Sequence, residues 1–396
     1  MDLEPAEQTP SQDHRFAISA DRIFDGHRWH DHAVILIDRG RVRGIAPQGQ
    51  APGEWPIQVM GPGTMLAPGF IDLQVNGGGG VLFNDDPTPD AMRAIARAHR
   101  SYGTTGLLPT MITDTPAKAR AAIAAARSQG GADGILGLHL EGPFISPQRP
   151  GIHRRDLILS ATERDLDWLG ELSAAGSSIV TLAPECVPAG FVGALAANGI
   201  QVCVGHSEAS SATLLRAIDE GLRGVTHLFN AMPAMSAREP GIVAVALSDP
   251  RLTAGLIVDG IHVDPLVARA AFAAKGWCNL ALVTDAMPTV GSERDGFDLM
   301  GRHIHLKDGR LTSTDGTLAG AHLDMASAVR NAVTLAGMPL DDALRAASLT
   351  PAIFLGIEQH RGTFSAGARA DIVALGQKLE VVGTWIQGRM DSSSLA

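Results

Sequence analysis

Three residues far apart in the chain, Glu141, His206 and His227, make up a known catalytic zinc set: one carboxylate and two imidazoles, with the fourth position left to water. Each falls at the end of a short apolar run, in His139-Leu140-Glu141-Gly142-Pro143, Gly205-His206-Ser207 and Thr226-His227-Leu228-Phe229-Asn230. Taken singly, each has a plainer reading. A histidine at a strand end is usually a satisfied hydrogen-bonding residue, and Glu141 could anchor a loop. All three at equivalent positions favour a metal. Asp285, after Val283-Thr284, ends another such run. Alone it could cap the next loop, but beside a metal it is a candidate general base. His139 lies two residues before Glu141, on the same strand face, and reads as a supporting or lower-layer residue rather than a ligand.

An anion site needs cations and free N–H groups. Asn230 and Ala231 follow His227, where backbone donors can point into a site, and Arg238 and His262 lie on the next loops. Arg grips phosphate bidentately; the plainer reading of Arg238 is an ion pair with Glu239 or another acid. His153 sits in a long polar loop after Glu141. Other chemistries find little support. The nearest approach to a serine-nucleophile elbow, Gly205-His206-Ser207-Glu208-Ala209, has the wrong last residue. Cys203 lies on the opposite strand face from His206 and reads as core. There is no C-x-x-C and no G-x-x-x-x-G-K-[ST].

The elements that must position these residues alternate. Strands are expected at Phe70 to Val75, Thr105 to Pro109, Gly134 to Leu140, Ser178 to Ala183, Ile200 to Gly205, Gly224 to Phe229, Leu252 to Val258 and Leu280 to Thr284. Helices are expected at Pro89 to Arg100, Ala117 to Ser128, Ala161 to Ala174, Ala189 to Asn198, Ala209 to Glu220, Gly241 to Ser248 and Pro265 to Lys275, with Leu323 to Ala336 closing the series. Eight parallel βαβ units fit an α/β protein with a (β/α)8 barrel, whose functional groups gather at the C-terminal strand ends. No G-x-G-x-x-G follows the first strand, so a dinucleotide fold is disfavoured. Phe16 to Met65 and Gly362 to Gly388 are β-rich instead, the latter through Asp371 to Ala374 and Val381 to Ile386.

With 396 residues, 45% of them hydrophobic, the chain can bury a large core, which excludes a disordered protein. A net charge of −10 disfavours nucleic-acid binding. No apolar run reaches the ~18 residues of a membrane helix. The segment Met1 to Phe16 lacks a basic region followed by an apolar stretch, so a signal peptide is not expected. Three cysteines, Cys186, Cys203 and Cys278, suit a reducing cytoplasm. The lysines are Lys118, Lys275, Lys307 and Lys378, none at a barrel-strand end, which disfavours a lysine-bridged binuclear centre.

Together with Pro68-Gly69-Phe70-Ile71-Asp72 and Val283-Thr284-Asp285-Ala286, the stretches His139 to Phe144, Gly205 to Ser207 and Thr226 to Met232 resemble the N-acetylglucosamine-6-phosphate deacetylase family, a branch of the amidohydrolase superfamily. The resemblance runs from about Phe16 to Gly388. It implies a TIM-like barrel at residues 67–361 and a small β-sandwich from residues 16–66 and 362–390. It also implies a cytoplasmic homodimer of amino-sugar catabolism that hydrolyses the acetamide of N-acetyl-D-glucosamine 6-phosphate. Glu141, His206 and His227 would hold one divalent ion per subunit, zinc first, with iron, manganese or cobalt as alternatives. Asp285 matches the acid/base and His153 the carbonyl-polarising histidine. Asn230, Ala231, Arg238 and His262 match sugar-phosphate contacts, some of them across the dimer. Leu318 matches a position near the acetyl group, and Gln74, Asn76 and Gly142 complete the substrate-binding set. The usual first-strand His-x-His of the superfamily is Gln74-x-Asn76 here, which points to one metal rather than two. Two alternatives stay open: a deacetylase for the galactosamine or mannosamine epimer, and an inactive phosphosugar-binding protein of the same fold.

Overall fold

The computed structural model describes residues 15–391. The expectation that no signal peptide is present rests on Met1 to Phe16, of which residues 1–14 lie outside the described residues. Eight parallel strands succeed one another in one sheet: β1 (Phe70–Val75), β2 (Thr104–Ile112), β3 (His139–Glu141), β4 (Ile179–Leu182), β5 (Gln201–Val204), β6 (Gly224–Val225), β7 (Thr253–Leu256) and β8 (Leu280–Leu282). The ring closes just past β8, where Val75 bridges Ala286 in parallel and Asp285 N–H donates to the Gln74 carbonyl at 3.0 Å. Every residue of β1 and β2 is buried, as strands covered on both faces must be. The expected (β/α)8 barrel is the observed architecture.

Helices cover the barrel: α1 (Pro89–Arg100), α2 (Pro116–Gln129), α3 (Asp165–Leu169), α4 (Phe191–Ala197), α5 (Ser211–Glu220), α6 (Gly241–Ser248), α7 (Pro265–Lys275), α8 (Met325–Thr334), α9 (Leu340–Ala347) and α10 (Leu349–Phe354). Their starts are written in the sequence. Thr88, Thr115 and Asp264 each accept a hydrogen bond from a first-turn N–H, and each precedes a proline in the first turn. Proline there loses no helical bond and has its φ already set. On the inner side α1 buries Met92 and Ile95 and α8 buries Met325 and Val329.

The two chain ends form a separate mixed sheet. Arg15–Phe24, Trp29–Asp38, Arg41–Pro47, Ile57–Val59 and Met65–Pro68 come from the front, and Ile372–Leu375, Val381–Ile386 and Arg389–Met390 from the back. Ile18, Ile35 and Ile37 from one part share an apolar cluster with Ile372, Ala374 and Trp385 from the other, so the sheet folds over on itself. Met65–Pro68 runs antiparallel to Ile372–Leu375 and leads through Gly69 into β1. A Cβ on Gly69 would stand 2.3 Å from the Thr105 side chain, so glycine lets the chain enter the barrel against β2.

Several boundaries differ from the sequence reading. Strand β3 begins at His139, not Gly134, because Ala132–Gly134 is a 3-10 turn. Strand β6 ends at Val225, since His227 and Phe229 take positive φ and turn the chain over the barrel rim. Ala161 to Ala174 is α3 followed by a 3-10 turn at Gly170–Ala174. A three-stranded antiparallel sheet, Gly296–Leu299, Arg302–Lys307 and Arg310–Ser313, had no counterpart in the sequence reading. It carries the loop that bears Leu318. Among the described residues no helix is long and apolar enough to cross a membrane.

Candidate active site

A cavity of about 520 Å³ opens at the C-terminal ends of the barrel strands, a size typical of small-ligand sites. Glu141, His153, His206, His227, Asn230, Ala231, His262, Asp285 and Leu318 all line it. Residues at the ends of β3, β5, β6 and β8 are thus brought to one place from across more than a third of the chain. His206, His227 and Asp285 have φ of 49°, 32° and 52°. Side-chain-bearing residues rarely adopt the left-handed region, and such strain gathers at functional sites. Here it turns each side chain inward as the strand ends.

Glu141 Oε1 lies 3.0 Å from His206 Nε2 and 2.9 Å from His227 Nε2, and the two nitrogens are 3.1 Å apart. His206 Nδ1 lies 2.8 Å from the Arg149 carbonyl, which can only accept. The proton of neutral His206 is therefore on Nδ1, and its Nε2 faces the glutamate with a lone pair. Burial opposes charge on Glu141 and on His227 alike. Contacts with His206 and His227 override it at Glu141, and the Glu141 carboxylate overrides it at His227, leaving Glu141 well below the carboxylate range and His227 above the usual imidazole value. Three ligand atoms and an electrostatic demand for positive charge meet at one point, so these residues fit a divalent metal ion.

Asp285 is half-buried beside this triangle. Burial and the Glu141 charge push its carboxyl up to about 6. Two amides hold it: Asn76 Nδ2 donates to Oδ1 at 2.6 Å, and Gln74 Nε2 at 3.1 Å. Gln74 Nε2 also reaches Glu141 Oε2 at 3.0 Å. Where a His-x-His would point nitrogen lone pairs, this chain points amide hydrogens at carboxylates. His153 is buried opposite, its ring centroid 4.4 Å from that of His206. Burial, with the neighbouring imidazoles, pushes it down to about 3, so it is neutral. Its Nδ1 lies 2.8 Å from Thr113 Oγ1, which leaves Nε2 to the cavity.

His262, also in the cavity lining, has its Nδ1 held by Asp259 at 2.6 Å. Leu318 and Gly320 close another wall. Gly142 has φ 95°, and a Cβ there would stand 2.2 Å from Thr113 Oγ1. Arg238 is exposed and stands apart from the cavity lining of its own chain. His139 spends both nitrogens beneath the site, on the Leu73 carbonyl at 3.0 Å and Thr181 Oγ1 at 2.8 Å. Cys203 is buried core with its thiol pushed up to about 12 by burial.

Sequence reasoning passed over Thr113 and Arg149, and gave Asp72 no role beyond its motif. The Arg149 carbonyl orients His206, and the Arg149 side chain pairs with Glu208. Asp72 Oδ2 accepts from Thr284 Oγ1 at 2.5 Å, and Oδ1 from Gln74 N at 3.2 Å, tying β1 to the residue before Asp285. Thr113 had a signal. It is the polar residue just past β2, and ending that strand at Pro109 hid it.

A model of the amidohydrolase family matches residues 65–390. The N-acetylgalactosamine-6-phosphate deacetylase of Shewanella sp. (strain ANA-3) is 38% identical over 96% of this chain and 97% of its own length. The N-acetylglucosamine-6-phosphate deacetylase of Bos taurus is 39% identical, over 83% of each chain. The crystal structure of N-acetylglucosamine-6-phosphate deacetylase from Pasteurella multocida superposes with a TM-score of 0.91 at 32% identity, covering 95% of this chain and 99% of that one. The resemblance read from the motifs is thereby borne out. The chain belongs to the amidohydrolase family, whose members are metal-dependent hydrolases.

Proposed function

We propose that the chain hydrolyses the acetamide of N-acetyl-D-glucosamine 6-phosphate to D-glucosamine 6-phosphate and acetate. It would do so in the cytoplasm as a homodimer, with one zinc ion per subunit held by Glu141, His206 and His227. The observation that carries this reading is the convergence of that triangle with Asp285 and His153 around one cavity. Zinc suits two imidazoles and a carboxylate with an open position; when bound, it supplies Lewis acidity at the carbonyl and makes water acidic enough to attack near neutral pH.

The chain's own residues do the rest. His153, neutral and fixed, donates its cavity-facing N–H to the acetyl oxygen and stabilises the charge that develops there. Asp285, pushed up to about 6, is poised to exchange protons near neutrality. It takes the proton of the attacking water and returns it to the amide nitrogen, which cannot leave as an anion. The backbone at Asn230 and Ala231, with His262, receives the 6-phosphate, while Leu318 packs near the acetyl methyl. Arg238, on its exposed loop, serves the phosphate of the other subunit.

The galactosamine epimer is the second reading. The Shewanella relative named for that substrate matches nearly the whole chain. Acetate release from the glucosamine, galactosamine and mannosamine 6-phosphate derivatives tests both. Highest kcat/KM on the glucosamine compound is expected. A higher value on the galactosamine compound would transfer the assignment, and no release from any would overturn it.

A further inference from the structure

Thr113 stands at the end of β2 and is fully buried, and none of the chemistry above uses it. Its two polar groups both face one nitrogen. Thr113 Oγ1 lies 2.8 Å from His153 Nδ1, and the Thr113 backbone N–H points at the same Nδ1 at 3.4 Å. A backbone N–H only donates, so the Nδ1 it faces must offer a lone pair. The opposite tautomer would set N–H against N–H and strand a buried amide, which proteins avoid. The hydroxyl has one alternative acceptor, the Glu141 carbonyl at 3.5 Å, a much poorer partner. Gly142 makes room for this arrangement, because any Cβ there would collide with the Thr113 hydroxyl.

We propose that Thr113 is a positioning residue that locks His153 in the tautomer with its hydrogen on Nε2, the nitrogen facing the cavity. In the other tautomer Nε2 would offer a lone pair to the substrate oxygen and repel it. The inference rests on the carbonyl-donor role of His153 given above. It adds the group that makes His153 a donor.

The test uses zinc-loaded protein with Thr113→Val and Thr113→Ser, alone and in a His153→Ala background. Thr113→Val keeps the shape and the long 3.4 Å backbone N–H contact but removes the 2.8 Å hydroxyl bond, the stronger half of the lock. It should lower kcat by about tenfold with KM nearly unchanged, the scale of one hydrogen bond lost in the transition state. Thr113→Ser should restore most of the rate. In the His153→Ala background the Val substitution should cost almost nothing further. A full, additive loss in that background, or failure of serine to restore the rate, overturns the proposal. Nitrogen NMR of labelled His153 gives a readout independent of turnover: Nδ1 is expected at the unprotonated and Nε2 at the protonated shift. A protonated Nδ1 in the parent also overturns the proposal. If His153→Ala leaves turnover intact, the carbonyl-donor role fails instead, and the nitrogen shifts alone decide the tautomer.

Discussion

The Asn76 side-chain amide donates to Asp285 Oδ1 across 2.6 Å. That bond favours the ionised carboxylate, against burial and the Glu141 charge, which raise it. A general base, the role proposed for Asp285, must be ionised to act. Asn76→Ala should therefore move the acid limb of the kcat/KM profile to higher pH, by about one unit if a charge-assisted hydrogen bond is lost. The pH–rate profile of the variant checks this; a limb that stays in place or moves to lower pH refutes it.

One tightly bound metal per chain is expected. Gln74 and Asn76 are committed to Asp285 and Glu141, so the first strand offers no nitrogen ligand to a second ion. His139 is occupied on both sides. Elemental analysis after exhaustive dialysis should give close to one equivalent, and His206→Asn should lower it sharply. Two equivalents retained with full activity would require another ligand.

Phosphate recognition is expected at His262. Its Nδ1 is anchored by Asp259, so Nε2 is the atom left for a ligand. His262→Ala should lower kcat/KM on the 6-phosphorylated sugar by about 10- to 100-fold and barely change activity on the unphosphorylated sugar. Equal losses on both would indicate a structural role.

Asp72 gives a stability signature. Burial pushes its carboxyl up to about 7, well above its ordinary value of 3.8. Between those values the folded protein holds a proton that the unfolded chain releases. Its contribution to stability is therefore full below about pH 4 and declines as pH rises toward 7. Asp72→Asn, which can keep the contacts to Gln74 and Thr284, should flatten that decline. Urea midpoints at pH 5 and pH 8 compare the two proteins; an equal fall in both would contradict the shift.

The barrel was legible because two signals agreed along the chain. Pro89 and Pro265 mark helix starts behind Thr88 and Asp264, and α1 and α7 begin and end where the sequence placed them. Glu141, His206, His227 and Asp285 were legible because they close apolar runs. Legibility failed where burial pattern and periodicity parted. Arg302–Lys307 is exposed and polar along most of its length, so its pairing with Arg310–Ser313 leaves no alternation to read. Strand β6 has only two paired residues, because the rim turn at His227 follows at once. The partners of Gln74 and Asn76 could not be read, since an amide donating to a carboxylate from the far side of the barrel depends on ring closure.

The most direct test is turnover of Asp285→Asn in the metal-loaded protein, measured as acetate released from N-acetyl-D-glucosamine 6-phosphate. Asparagine keeps the shape and an acceptor oxygen but cannot take up and return a proton. Metal content equal to the parent's, with kcat lower by about 10²–10⁴, is the expected result. A metal-loaded variant within tenfold of the parent would remove Asp285 from the proton transfers and contradict the mechanism.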